Sequence, residues 1–190
     1  MHNRSLNFGL LALMLICSVV GYAQHSCIPS PNPPKLPMAR ASGRFNSSAA
    51  PLRVVQLAGI SDSWKATRRE IGSVPSGTMV EVLEDRIVVD APDVVRVTNS
   101  IDALNLKEGD KILRYARLGE AWADIWAEGC WYRAVNADFI TEPDGAGCGG
   151  TRCSARVTKL GSQTWWFRIR RPDGKSGWTQ SQNLDLSAGG

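Results

Sequence analysis

Trp165-Trp-Phe-Arg-Ile-Arg-Arg-Pro-Asp-Gly-Lys-Ser-Gly-Trp-Thr-Gln180 is the most informative stretch of the chain. Strand alternation divides its first half between two faces. Trp165, Phe167 and Ile169 share one face and read as core. Trp166, Arg168 and Arg170 share the other, which sets an aromatic ring beside two cations on the outside. Pro172-Asp-Gly174 supplies a tight turn, with a glycine available for positive φ. Gly177-Trp-Thr179 returns as the partner strand. Ser181 to Leu184 reads as one short helical turn, before a last strand at Leu184–Leu186.

The same β character extends back to Leu52. Short Val- and Ile-rich runs recur between turn signals, at Leu52–Leu57, Thr78–Glu84, Arg86–Asp90, Val94–Thr98, Lys111–Leu118, Ala121–Glu128 and Cys130–Val135. Pro75-Ser-Gly77 precedes the second run, and Ala91-Pro-Asp93 reads as a turn between the third and fourth. Only Asp62–Ile71 has a helical reading, ended by Gly72. No long 3.6-residue periodicity appears, which argues against an α/β enzyme fold. The expected fold class is all-β.

Composition fits one elaborated domain or two small ones. The chain has 190 residues, 43% of them hydrophobic, with 18 Gly and 10 Pro. Its net charge of +4 is mild and dispersed, unlike the concentrated basic stripe of a nucleic-acid binder. Seven Trp stand against two His, His2 and His25, so most acid/base and metal chemistry lacks its usual residue.

Residues 1–23 carry the order of a secretory signal: Arg4 in a polar start, an apolar run from Phe8 to Val20, then Gly21-Tyr-Ala23. The run is shorter than the ~20 residues that span a bilayer, so no membrane span is expected after cleavage. Soluble export, to the periplasm or outside, is favoured over a lipoprotein, because the residues before Cys27 and Cys17 suit lipidation poorly. Cleavage also removes Cys17 and leaves Cys27, Cys130, Cys148 and Cys153. An even count in an exported chain reads as disulfides. Three connectivities are open. Cys148–Cys153 is the expected pair, closed over a ring with two glycines, which leaves Cys27–Cys130. A zinc site lacks both an accompanying His and Cys-x-x-Cys spacing. Residues 24–50, with five prolines between Pro29 and Pro37, read as an extended linker that packs no core. An alternative makes this segment a tether, or an internal ligand for an aromatic groove. Asn46-Ser-Ser48 is formally a glycosylation acceptor, read as chance.

The final hairpin, followed by Asn183-Leu184, resembles the second half of a bacterial SH3-like domain. Ile71-Gly-Ser-Val-Pro-Ser-Gly-Thr-Met-Val-Glu-Val-Leu83 is similar to the first half of that family's pattern. The pattern also echoes internally, with Trp122-Ala-Asp-Ile125 paralleling Trp166-Phe-Arg-Ile169. The resemblance implies small SH3-like barrels, with two packed units expected. These are 51–105, with Val94 where a Trp belongs, and 106–187, with a disulfide-closed insertion at 141–161.

Chemistry follows from what is present. Nucleophilic catalysis wants a His beside Ser or Cys, and the His that remains after cleavage, His25, lies in the linker. Glu120, Asp124 and Glu128, or Glu81, Glu84 and Asp85, are the carboxylates a glycosidase would draw on, but strand faces carry acids routinely. No phosphate loop or dinucleotide fingerprint is present, and no cofactor or metal is expected. The SH3-like resemblance implies a shallow aromatic groove, where Trp122 and Trp166 would dock a proline or a sugar face. Arg168 and Arg170 would pair carboxylates of a peptide or a cell-wall stem. The expected function is a non-catalytic binding module that contacts peptidoglycan or an envelope protein, and not nucleic acid. The alternative is an envelope structural or assembly protein whose aromatic faces are buried.

Overall fold

The computed structural model describes residues 26–42, 50–119, 121–148 and 153–189. The expected signal at 1–23, and with it Cys17, His25, Asn46-Ser-Ser48 and Glu120, lies outside the described residues. The fold is all-β and comprises two sheets. Helical structure among the described residues is confined to 3₁₀ turns, at Asp102–Leu104, Ser181–Asn183 and Leu186–Gly189. No helix among them is long and apolar enough to cross a membrane.

The first sheet runs β1 (Ile28–Pro29), β10 (Cys130–Asn136), β9 (Trp122–Ala127), β8 (Lys111–Gly119), β7 (Asp93–Val97), β12 (Ala155–Lys159) and β11 (Ile140–Thr141). The second runs β2 (Met38–Arg40), β6 (Met79–Ala91), β13 (Ser162–Arg170), β14 (Ser176–Gln180), β4 (Ala58–Ser61) and β5 (Glu70–Val74), with β3 (Leu52–Arg53) also on β6. All pairings are antiparallel except β11 with β12.

Each sheet has its own core. Val95, Val97, Leu104, Ile112, Ile125 and Tyr132 belong to the first. Leu52, Ile60, Val80, Val82, Phe167, Ile169 and Leu184 belong to the second. The boundary expected after residue 105 therefore falls inside the first core, which joins Leu104 to Leu106 and Ile112. The second core draws on residues before and after the whole first sheet. Strand alternation predicts local faces, but it does not reveal which distant strands meet.

β6 ties the two together. Its first half points Val80 and Val82 into the second core. A bulge at Leu83 breaks its register with β13, where Ile169 pairs Val82 and Arg168 pairs Glu84. One extra residue moves the inward positions from even to odd numbers. Asp85, Ile87 and Val89 are then buried, the last two against Leu113 and Tyr115 of β8 at the junction of the sheets. Ala91-Pro-Asp93 is a crossover between sheets and not the turn of a hairpin, since β6 and β7 pair with different partners. Pro92 has no N–H to give to either ladder.

The final hairpin forms as read, with Arg168 opposite Trp178. Phe167 and Ile169 are fully buried and Trp165 partly so. The 3₁₀ turn at Ser181–Asn183 follows, but the expected last strand is reduced to one bridge, Leu184 to Val54. Asp62–Ile71 is not helical. Residues 62–69 form an irregular loop between β4 and β5, closed by Asp62, whose carboxylate accepts from the Arg69 backbone at 2.9 Å and from its side chain at 3.2 Å. That local carboxylate–backbone bond competes with helix.

The proline-rich segment also departs from expectation. It is extended, yet it packs across the junction as a strap. Cys27 is bonded to Cys130, the Trp126 indole N–H donates to the Ser30 carbonyl at 2.8 Å, and Tyr115 donates to the Pro34 carbonyl at 3.3 Å. Met38 then pairs with Val89 in the second sheet. Cys148 is bonded to Cys153. Two disulfides point to an oxidising compartment.

Candidate functional site

Trp122 opens β9, between Gly119 of β8 and Asn136 of β10. At this sheet end its indole is 44% exposed. It lines a pocket of about 240 Å3 together with Arg114, Arg117, Asp138, Ile140 and Glu142. Ile140, Ala123 and Ala137 belong to the core beneath and supply an apolar floor.

The polar wall of this pocket is held by a buried ion network. Arg114 is 4% exposed. It donates to Asp93 at 2.8 Å and to both Glu142 oxygens at 2.5 and 2.9 Å. Asp93 also accepts the Gly161 N–H at 2.7 Å. Burial pulls the Arg114 pKa down, but the two carboxylates more than offset it and leave the pKa raised. The guanidinium keeps its charge and fixes Glu142 at the rim. Arg117 lies 3.9 Å from Asp93, with its side chain 41% exposed. An exposed indole next to an accessible guanidinium can stack a flat or sugar-like face and pair an oxyanion.

Trp166 does not join this pocket. It lies in the second sheet and is 6% exposed, clustered with Val88 and with Trp178, itself 8% exposed. Trp64, from the 62–69 loop, packs on the same cluster, and the Arg68 guanidinium lies 4.9 Å above the Trp166 ring. The face expected to present Trp166 is therefore covered by a loop folded over it. Trp64 and Arg68 were not singled out by sequence as site residues, and their spacing carried no signal for this role. Together with Pro37 and Val88 they line a shallow groove of about 420 Å3.

Arg168 and Arg170 are exposed, as strand alternation requires. Each is engaged across the ladder, Arg168 with Glu84 at 3.2 Å and Arg170 with Glu81 at 2.8 Å. They do not approach Trp122. Trp131 and Trp178 are built into the packing, the former edge-on to Tyr115 with ring centres 5.1 Å apart.

No protein family, curated protein or solved structure matches the chain.

The carboxylates weighed as catalytic acids have partners of other kinds. Asp85 is buried and accepts the Trp165 indole N–H at 2.7 Å, with the Ser42 hydroxyl on the same oxygen. Asp124 is buried and ion-paired with Arg40. Among the described residues no group of three His, Cys, Asp or Glu side chains is placed to hold a metal ion.

Proposed function

We propose that this chain is an exported, non-catalytic binding module of the bacterial SH3-like type, contacting peptidoglycan or a peptide of the cell envelope through Trp122 and Arg117. The observation that carries this reading is the open indole of Trp122 above a preformed pocket whose polar wall is locked by Arg114, Asp93 and Glu142. Rigid aromatic anchors of this kind supply contact area at little entropic cost. The SH3-like part of the reading is supported by the second sheet. It unites both sequence stretches that resemble that family, 71–83 and 166–184, with a long loop between β4 and β5 and a 3₁₀ turn after β14. Export is supported by the order of residues 1–23 and by two disulfides.

A second reading, an envelope structural or assembly protein, draws support from the burial of Trp166 and Trp178. Co-sedimentation with insoluble peptidoglycan separates the two. Wild type is expected in the pellet, and a folded Trp122→Ala variant in the supernatant. Wild-type protein that stays in the supernatant overturns wall binding and favours the assembly reading.

A further inference from the structure

A second polar pocket, of about 450 Å3, lies under the N-terminal strap where the two sheets meet. Arg40 of β2, Arg86 of β6, and Asp124, Trp131 and Arg133 of the first sheet line it. Three guanidinium groups and one carboxylate thus line one pocket, with Arg40 paired to Asp124.

The arrangement is built by a bulge. Ile125 pairs Tyr132 and Ala123 pairs Val135, so Arg133 and Ala134 together oppose Asp124. Ala134 takes a left-handed conformation with φ of 47°. Its N–H turns inward and donates to Asp124 Oδ1 at 2.7 Å. Arg133 precedes it and lines the pocket. Bulges of this kind re-aim side chains next to functional sites.

The hydrogen bonding of the carboxylate is left incomplete. The Asp124 side chain is 1% exposed and its Oδ1 meets Arg40, yet its Oδ2 has no hydrogen-bond partner. Buried polar atoms in this state are rare and call for an explanation. Arg86 shares Glu84 at 3.1 Å, whereas Arg133 has no carboxylate within ion-pair distance among the described residues. Burial, and then the Arg133 charge, hold the Arg40 pKa below its usual value. The cations are therefore in excess and repel one another, which an oxyanion relieves.

We propose that this pocket binds an α-carboxylate bearing an N–H donor on the adjacent carbon, as in a free amino acid or the C-terminal residue of a peptide. The carboxylate lies between Arg40 and Arg133, the N–H donates to Asp124 Oδ2, and the side chain faces Trp131. A phosphate satisfies the guanidinium groups but brings up to about two negative charges, with its donor oxygen part of the same anion, against the Asp124 carboxylate. The proposal is independent of the Trp122 pocket, which is lined by different residues.

The test is a titration of the disulfide-bonded protein with alanine, N-acetylalanine, propionate and inorganic phosphate, each to about 20 mM, which reaches millimolar dissociation constants. The Trp131 indole N–H resonance is the reporter. A saturable shift is expected with alanine, N-acetylalanine or both, and the tighter of the two tells a free amino acid from a chain terminus. Propionate, which lacks the donor, and phosphate are expected to bind about tenfold more weakly or not at all. Arg133→Ala, an exposed site with little risk to folding, is expected to weaken binding about tenfold. Asp124→Asn is expected to erase the preference for alanine over propionate. Absence of a saturable shift with both nitrogen-bearing ligands overturns the proposal. So does equal binding of propionate or phosphate, or unchanged binding by Arg133→Ala.

Discussion

At the scale of single residues, buried charge shapes this molecule more than its composition suggests. Arg114 serves two carboxylates from within the first sheet. Its removal strands Asp93, itself buried, without its main counter-charge. Breaking one side of a buried ion pair typically costs about 3–5 kcal/mol. Arg114→Ala is expected to lose stability on that scale in urea unfolding, whereas Arg117→Ala, at the exposed end of the network, stays within about 1 kcal/mol. Both residues are Arg in one strand, and strand alternation does not rank them. Only the β7 and β11 neighbours, distant in sequence, decide which is buried. The same limit applies to the tryptophans. Alternation correctly puts Trp166 opposite Phe167, but it carries no information that a loop bearing Trp64 and Arg68 covers that face.

At the scale of elements, most strands were legible because apolar alternation and turn residues agree locally. The exceptions have physical causes. β6 reads as two strands since the bulge at Leu83 interrupts its period. The 62–69 loop reads as helix since the sequence does not reveal that Asp62 folds back on Arg69. The Gly177-Trp178 signature of the last hairpin has a steric reason. A Cβ at Gly177 would collide with the Ile60 side chain and lie 2.9 Å from the Ser61 carbonyl, so β4 and β14 cross closely only over glycine. The turn of this hairpin also yields a pH prediction. Arg171 is hydrogen-bonded to Asp173 and holds its carboxyl down at about 2, with further help from the Lys175 backbone N–H. A carboxylate with a lowered pKa stabilises the fold above its unfolded value near 3.9, and that contribution fades as pH falls towards 2. An NMR titration of the Asp173 carboxyl is expected to show its midpoint near 2, and Asp173→Asn to remove the loss of hairpin order across that window. A midpoint near 3.9 would show that the turn does not hold the charge.

At the scale of the whole molecule, two cores share one long strand and one strap. Both pockets depend on this arrangement in different ways. The Trp122 pocket belongs to the first sheet alone, and Trp122 was visible in the sequence. The Arg40–Asp124 pocket needs the strap, β6 and a bulge in β10, three segments that no local pattern relates. The strap is tied down by a disulfide spanning 103 residues, Cys27 to Cys130. In the chain-entropy account a loop of about that length contributes about 4–5 kcal/mol, and measured losses run at about 2–5 kcal/mol. Cys27→Ser with Cys130→Ser is expected to lower the urea midpoint accordingly. Binding of alanine at the Arg40 pocket is expected to suffer more than peptidoglycan pelleting through Trp122. Equal loss of both would mean that the strap supports the entire fold and not one pocket.

The interleaving of the sheets also fixes an order in time. The chain leaves the ribosome, or enters an export channel, from its N-terminus. β7 to β12 are complete before β13 exists, and they hold a core of their own. β6 must wait, with its ladder edge open, until the far side of that unit has been made and Ser162–Arg170 can lie against it. Ser162 then meets Ala91, and the Gly161 N–H reaches Asp93, so the two ends of the early unit are drawn together by the late one. The last strands synthesised complete the sheet that β2 to β6 begin, and a chain interrupted before residue 162 leaves the edge of its longest strand that faces β13 unpaired.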